Sequence, residues 1–290
     1  MIYHLPKIEN SRSGFEALAG LAGAASRLFV DRLEVDFSSC DFFAANMAAP
    51  LGSILSRIEE DFNSIEIVGI PPVVATILRK NGFLENYGYP ELEDNGRTTL
   101  PFRRIQLSDD TRFEGYVKRH LKGKGIPSMS EGFGAAFKRK LFEIFQNSVI
   151  HSRSFTGVCV CGQFFPNLQR LDFTISDAGV GIRQNVRKHL GNPKLSSVEA
   201  IRWALEEGNS TKTGGQPGGL GLKFLKDFIH QNQGTIQIVS RLGFYQFSAG
   251  NETFETMQAD FPGTTVNIEI NTGDTASYRL PNELTPDDIF

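Results

Sequence analysis

At 290 residues, with 40% hydrophobic and 22% charged content, the chain has the composition of a folded globular protein and room for two domains, which excludes a disordered or fibrous polypeptide. A formal net charge of −3 gives no general attraction for nucleic acid, and the basic stretch "YVKRHLKGKG" (116–125) reads as a solvated helix face. Three cysteines, Cys40, Cys159 and Cys161, are too few and too odd a number for a disulfide framework and point to a reducing compartment.

The opening "MIYHLPKIENSRSG" has no basic leader, and no run in the chain reaches the roughly 18 apolar residues of a membrane span, so a cytoplasmic protein is expected. Residues 28–37 alternate as a strand does and end at Ser38-Ser39. Between Asn46 and Glu60, Met47, Leu51, Ile54, Leu55 and Ile58 recur at helical spacing. "SIEIVGI" (64–70) is a strand, Pro71-Pro72 opens a helix, and Asn81-Gly82 ends it. Strand, helix, strand and helix in this order make a small α/β unit.

Residues 88–109 are rich in Gly, Pro, Asp and Asn, with one candidate strand in "RTTLPFRRIQL", and a domain boundary is expected between 90 and 125. A long helix at about 129–151 follows, then strands near 156–165 and 169–176. Helical segments at 180–190 and 196–207 precede a Gly-rich stretch, 208–221, and an amphipathic helix at 220–232. Strands near 235–240, 243–248 and 264–270 close an α+β sandwich of mostly antiparallel strands. Cys159 and Cys161 flank Val160 in "GVCVCGQF", so both thiols point to one face, and without a second Cys pair or a nearby His they read as buried strand cysteines.

Four segments can carry chemistry. In "LFEIFQNSVIHS" (141–152), Glu143 and Asn147 stand one helical turn apart on one face. Alone, that pattern reads first as a cap or a satisfied core amide, and it also suits a carboxylate that polarises water beside an amide oxygen for Mg²⁺. "TISDAGVGI" (174–182) ends a strand at Asp177 and spaces Gly179 and Gly181 two apart. Alone it is a tight turn, but it also permits a ligand to approach the backbone beside a carboxylate. "GNSTKTGGQPGGLGLKFL" (208–225) is either a disordered loop or a lid that orders around a ligand, and Gly218, Gly219 and Gly221 adjoin a helix start whose free N–H groups favour an anion. It matches neither G-x-x-x-x-G-K-[ST] nor G-x-G-x-x-G. "FPGTTVNIEI" (261–270) is a turn and a strand, with Thr264 at the strand mouth.

In this order, E-x-x-x-N, D-x-G-x-G, G-G-L-G-L and G-T-T resemble the GHKL ATPase superfamily, whose histidine kinases, anti-sigma serine kinases, type II topoisomerases, mismatch-repair ATPases and heat-shock chaperone share the Bergerat fold. The resemblance covers roughly residues 130–272. It implies that Glu143 is the general base, that Asn147 holds Mg²⁺, and that Asp177 binds the adenine amino group of ATP. Gly179 and Gly181 would shape the base pocket, Gly218, Gly219, Leu220 and Gly221 would hold phosphates under the lid, and Thr264 would join the adenine–Asp177 water network. His151 sits where some members carry His, without a role that transfers.

The first half, "LEVDFSSCDFFAANMAAPLGSILSRI" followed by "IEIVGIPPVVATILRKNGF", resembles a STAS domain. Where that family carries its phosphorylated serine, this chain has Ala44, Ala45 and Asn46, so the resemblance implies a fold kept and a phosphoswitch lost. The expected organisation is a STAS-like α/β domain at 1–100, a connecting segment at 101–128, a GHKL ATP-binding sandwich at 129–275 and a tail at 276–290. The expected function is a Mg²⁺-ATP-binding regulator, a slow ATPase or ATP-gated switch, acting on a protein partner or as a homodimer, without membrane or nucleic acid. The alternative is an anti-sigma-type serine kinase acting on a separate STAS protein. Autophosphorylation on histidine finds no acceptor in the usual setting, because His120 is followed by Leu-Lys-Gly rather than by an acidic residue.

Overall fold

The computed structural model describes residues 1–95, 97–106, 109–152, 156–211 and 220–283, with only the backbone described at 110, 151, 220 and 221. The N-terminal unit runs β1 (Ile2–His4), α1 (Arg12–Ala25), β2 (Arg32–Asp36), α2 (Ala48–Glu60), β3 (Ser64–Val68) and α3 (Pro72–Lys80), with a 3-10 turn at Ala45–Met47 leading into α2. Its three strands pair in parallel in the order β1-β2-β3, so α1 and α2 serve as the crossovers that parallel pairing requires. Pro72 opens α3, and Gly82 turns the chain after it with φ +74°.

The sequence reading places no element before residue 28, yet α1 is a full helix. Ser11 caps it by accepting from the Gly14 N–H, and Phe15, Leu18, Ala19 and Leu21 are buried. Three interior glycines, Gly14, Gly20 and Gly23, weaken its local helix signal, and tertiary burial overrides them.

The second unit contains β4 (Thr99–Ile105), α4 (Asp110–His120), β5 (Ser128–Met129), α5 (Glu131–His151), β6 (Val158–Phe165), β7 (Arg170–Asp177), α6 (Gly181–Leu190), α7 (Ser197–Leu205), α8 (Leu220–Asn232), β8 (Thr235–Ser248), β9 (Asn251–Asn271) and β10 (Ser277–Tyr278). Five strands form an antiparallel sheet in the order β4-β6-β7-β9-β8. The candidate strand at 97–107 is thus the sheet's edge, and α4 packs beneath it through Phe113, Tyr116 and Val117. The two expected strands at 235–240 and 243–248 are one strand, β8, with register shifts around Arg241. Strand β9 begins at Asn251, well before the expected 264, because the polar run "NETFETMQAD" conceals the alternation that buries Met257. Beyond residue 275, β10 pairs with β5, and its Tyr278 is buried against the rings of Phe133 and Phe228.

The five-stranded sheet is covered on both faces. On one, Leu171, Phe173, Ile175, Ile236, Ile238 and Ile268 pack against Phe137, Leu141 and Phe145 of α5 and Leu225 and Phe228 of α8. The other face presents Thr174, Ser176, Gln237, Thr265 and Asn267, a polar surface that an antiparallel sheet would ordinarily show to water. Here α1 and α2 cover it, and hydrogen bonds replace the lost water. Asn46 donates to Thr174 and Asn267, Ser53 bonds Ser176, and Ser176 bonds Thr265. Arg12 of α1 pairs with Glu255 of β9, and Phe15 meets Phe261 edge-on at 6.3 Å. Cys159 and Cys161 lie on this covered face as buried free thiols.

Candidate nucleotide site

Helix α5 supplies one wall of a cavity. Ser130 caps the helix by accepting from the Phe133 N–H. Leu141, Ile144 and Phe145 are buried, which leaves Glu143 and Asn147 half-buried along the side facing the cavity. Lys140, one turn before, holds Glu143 by an ion pair at 3.0 Å. The Asn147 amide makes no hydrogen bond among the described residues and lines the cavity.

Strand β7 delivers Asp177 to the cavity floor, where it is only 2% exposed. It faces Thr264 across the β7–β9 ladder. Burial pushes the Asp177 carboxyl up to about 7, against hydrogen bonds from the Gly179 N–H, the Ser148 hydroxyl and the Thr264 backbone that favour its charged form. The turn after Asp177 is locked to the end of α5: Val180 N–H donates to Ser152 O at 2.8 Å, and Gly179 N–H donates to Asp177 Oδ1 at 2.9 Å. A Cβ at Gly179 would lie 2.0 Å from Ser152 O, so only glycine fits. Gly181 takes φ +77° and starts α6.

Ser240 ties this turn to the sheet. Its Oγ accepts from the Ile182 N–H at 2.9 Å and donates to Gly263 O at 3.0 Å, so in its 3.1 Å contact with Thr264 the threonine hydroxyl is the donor. The walls are apolar, formed by Ile144, Ile182, Val186, Leu222, Ile238 and Val266, while Asn185, Asn209 and Glu143 add polar groups. Trp203 of α7 lines it too. An apolar slot with one buried acceptor at its base suits a flat heterocycle bearing an amino group.

The fold therefore brings Glu143, Asn147, Asp177, Gly181 and Thr264 to one cavity, with Gly179 in the turn behind Asp177. Leu220 and Gly221 begin α8, while Gly218 and Gly219 lie outside the described residues. Of His151 only the backbone is described, as the last residue of α5. Sequence reasoning missed Ser148, Ser240, Asn185 and Trp203. A signal existed for α6 alone, where Ile182, Asn185 and Val186 share a helical face.

Residues 132–274 match the family described as histidine kinase-, DNA gyrase B- and HSP90-like ATPases. The chain is also similar to the sensor histidine kinase TmoS of Ectopseudomonas mendocina, 25% identical over 244 residues, which take in 77% of this chain and 24% of that protein. The chain thus spans about a quarter of that relative's length. Among the described residues, no helix is long and apolar enough to cross a membrane. With the antiparallel sheet, the helix carrying Glu143 and Asn147 and the buried Asp177 in place, residues 132–274 are a domain of the GHKL ATPase family.

Proposed function

We propose that the protein is a cytoplasmic Mg²⁺-ATP-binding regulator that turns ATP over slowly or uses it as a gate, and acts on a protein partner or a second copy of itself. The observation that carries this reading is Asp177, buried at the base of an apolar slot whose lining also holds Glu143 and Asn147. The residues fit the ligand: Asp177 accepts from the base amino group, Thr264 steadies that end through Ser240, and Asn147 offers an uncommitted amide oxygen to Mg²⁺. A bound Mg²⁺ would offset phosphate charge. Glu143, steadied by Lys140, is the group that takes a proton from water.

Calorimetric titration of the full chain with ATP and Mg²⁺ tests this. Binding by the wild type that weakens more than tenfold in Asp177→Asn is expected; no binding, or equal binding by the variant, overturns it. Glu143→Gln is expected to bind ATP normally and to lose turnover.

A second reading, a serine kinase acting on a separate STAS protein, draws support from one observation. The residue at this chain's own acceptor-like position, Asn46, is buried on the sheet face opposite the cavity, so a substrate would have to come from another molecule. Transfer of labelled phosphate from ATP to a partner protein distinguishes it. The N-terminal unit is read as STAS-like on its parallel β1-β2-β3 order and helical crossovers. Its α2 is committed to the five-stranded sheet, so a partner would meet the unit elsewhere.

A further inference from the structure

On the far side of the Asp177–Gly181 turn lies a second cleft, of about 560 Å³, between the two units. Arg57 and Glu60 of α2 form one wall, Arg183 and Arg187 of α6 the other, and Arg241 of β8 closes one end over the backbone of Ala178–Val180. Four arginines and one glutamate line it, in a chain whose formal charge is −3. Arg183 and Arg187, spaced i and i+4, lie on one face of α6.

The partners leave a surplus of positive charge. Arg57 is paired with Glu60 at 2.8 Å and with Asp61 at 3.7 Å, and Arg241 with Asp260, so three carboxylates stand against the four arginines. Arg187 uses its Nε on Leu195 O at 2.7 Å, while Arg183 has no ion pair or hydrogen bond among the described residues. Arg241 carries a second signal. It sits at φ +54°, a left-handed conformation costly for a residue with a Cβ, at the point where the β8–β9 register shifts. Such a bulge re-aims a side chain. Here the arginine stem runs over Gly181, where a Cβ would come within 2.8 Å of Arg241 Cγ.

We propose that this cleft binds a small ligand carrying two or more linked phosphates, held by Arg183 and Arg187 and bridged to the N-terminal unit through Arg57. Planar guanidiniums grip phosphate oxygens two at a time, and several converging on one cleft select for linked phosphates over a single carboxylate. The volume falls within the roughly 300–1,000 Å³ of small-molecule sites. The same turn floors this cleft with Ala178–Val180 and the nucleotide cavity with Asp177 and Gly181, so any effect that a ligand in one site has on affinity in the other is reciprocal. That coupling, though not the binding, rests on the nucleotide reading.

The test is calorimetric titration of the full chain with inorganic tripolyphosphate and, separately, uridine diphosphate, since both present linked phosphates and the comparison separates a bare chain of phosphates from a nucleotide. Binding is expected for the wild type with at least one of them. It should weaken at least tenfold in both Arg57→Ala and Arg183→Ala and hold within twofold in Asn147→Ala. No binding, an undiminished affinity in either arginine variant, or a tenfold loss in Asn147→Ala overturns the proposal. Tighter, Arg183-dependent binding of a 20-nucleotide single strand overturns it in favour of nucleic acid. If ATP fails to bind while the tripolyphosphate result holds, the nucleotide reading falls and this site stands.

Discussion

Asn46 and Asn267 share a hydrogen bond of 2.9 Å between fully buried amides, one from the turn before α2 and one from the middle of β9. The same Asn46 nitrogen donates to Thr174 at 3.0 Å, and Asn267 passes the network on to Gln237. These contacts hold the N-terminal unit on a polar sheet face that water would otherwise solvate. Asn46→Ala should destabilise the chain by about 1–3 kcal/mol, the net worth of the two hydrogen bonds it donates. A thermal melt should fall by about 2–12 °C, with ATP affinity unchanged. An unshifted melt would mean that the amide network contributes nothing to docking.

Asp172, one pleat further along the same face, has the opposite character. It is fully buried, between Gln163 and Glu269 on the neighbouring strands, and neither carboxylate oxygen has an aligned hydrogen bond among the described residues. Arg170 Nε approaches to 3.2 Å, an ion-pair distance without hydrogen-bond alignment. Burial pushes the carboxyl up to about 7; Arg170 opposes the shift, and Glu269 adds to it. Its folded pKa lies above its unfolded one. Its contribution to stability is therefore present below about pH 4, declines as pH rises through 7, and is absent above. Asp172→Asn should raise the melting temperature at pH 8 relative to wild type by a few degrees and bring little gain at pH 4. Equal shifts at the two pH values would show that the carboxyl titrates normally.

Asp177 titrates in the same window but faces the cavity. An amino group donating to it favours the carboxylate, so binding of the base should lower its pKa from about 7 and release a proton between pH 6 and 8. Calorimetry of ATP binding in buffers of different ionisation enthalpy should record that release and its loss in Asp177→Asn. Affinity should rise from pH 6 to pH 8. A buffer-independent enthalpy would rule out the assignment of Asp177 as the titrating acceptor.

The sequence carried the parts of the site that depend on local geometry. Glu143 and Asn147 share a face because four residues make one helical turn, and Asp177 with Gly181 marks a strand end that turns into a helix. Ser240 and Trp203 reach the same cavity only through the packing of β8 and α7, and no spacing in the chain encodes that. The fold divides in the same way. Helix α3, with proline at its start and Asn81-Gly82 at its end, was legible, whereas α1 is stabilised by burial against β9 more than by its glycine-rich composition. Asn46 was visible as the residue at an acceptor-like position, but its partner 221 positions away was not.

The turn glycines offer a contrast that separates site geometry from general strain. Gly179 has no room for a methyl group, because Ser152 O would stand 2.0 Å from it and already accepts from Val180 N–H. Gly263 is closed twice over, with φ +79° and the Asp177 carbonyl 2.1 Å from any added Cβ. Gly191, which ends α6 at φ +63°, has nothing within 4 Å. Alanine at Gly191 should therefore cost only the left-handed backbone penalty, about 1–2 kcal/mol, and leave nucleotide binding as it is. Alanine at Gly179 or Gly263 must displace backbone that carries Asp177, so each should cost about 1–3 kcal/mol or more and weaken ATP binding at least tenfold. Melting curves and ATP titrations on the three variants provide the comparison. If Gly179→Ala bound ATP as tightly as Gly191→Ala, the close approach of the turn to α5 would not set the position of the buried carboxylate.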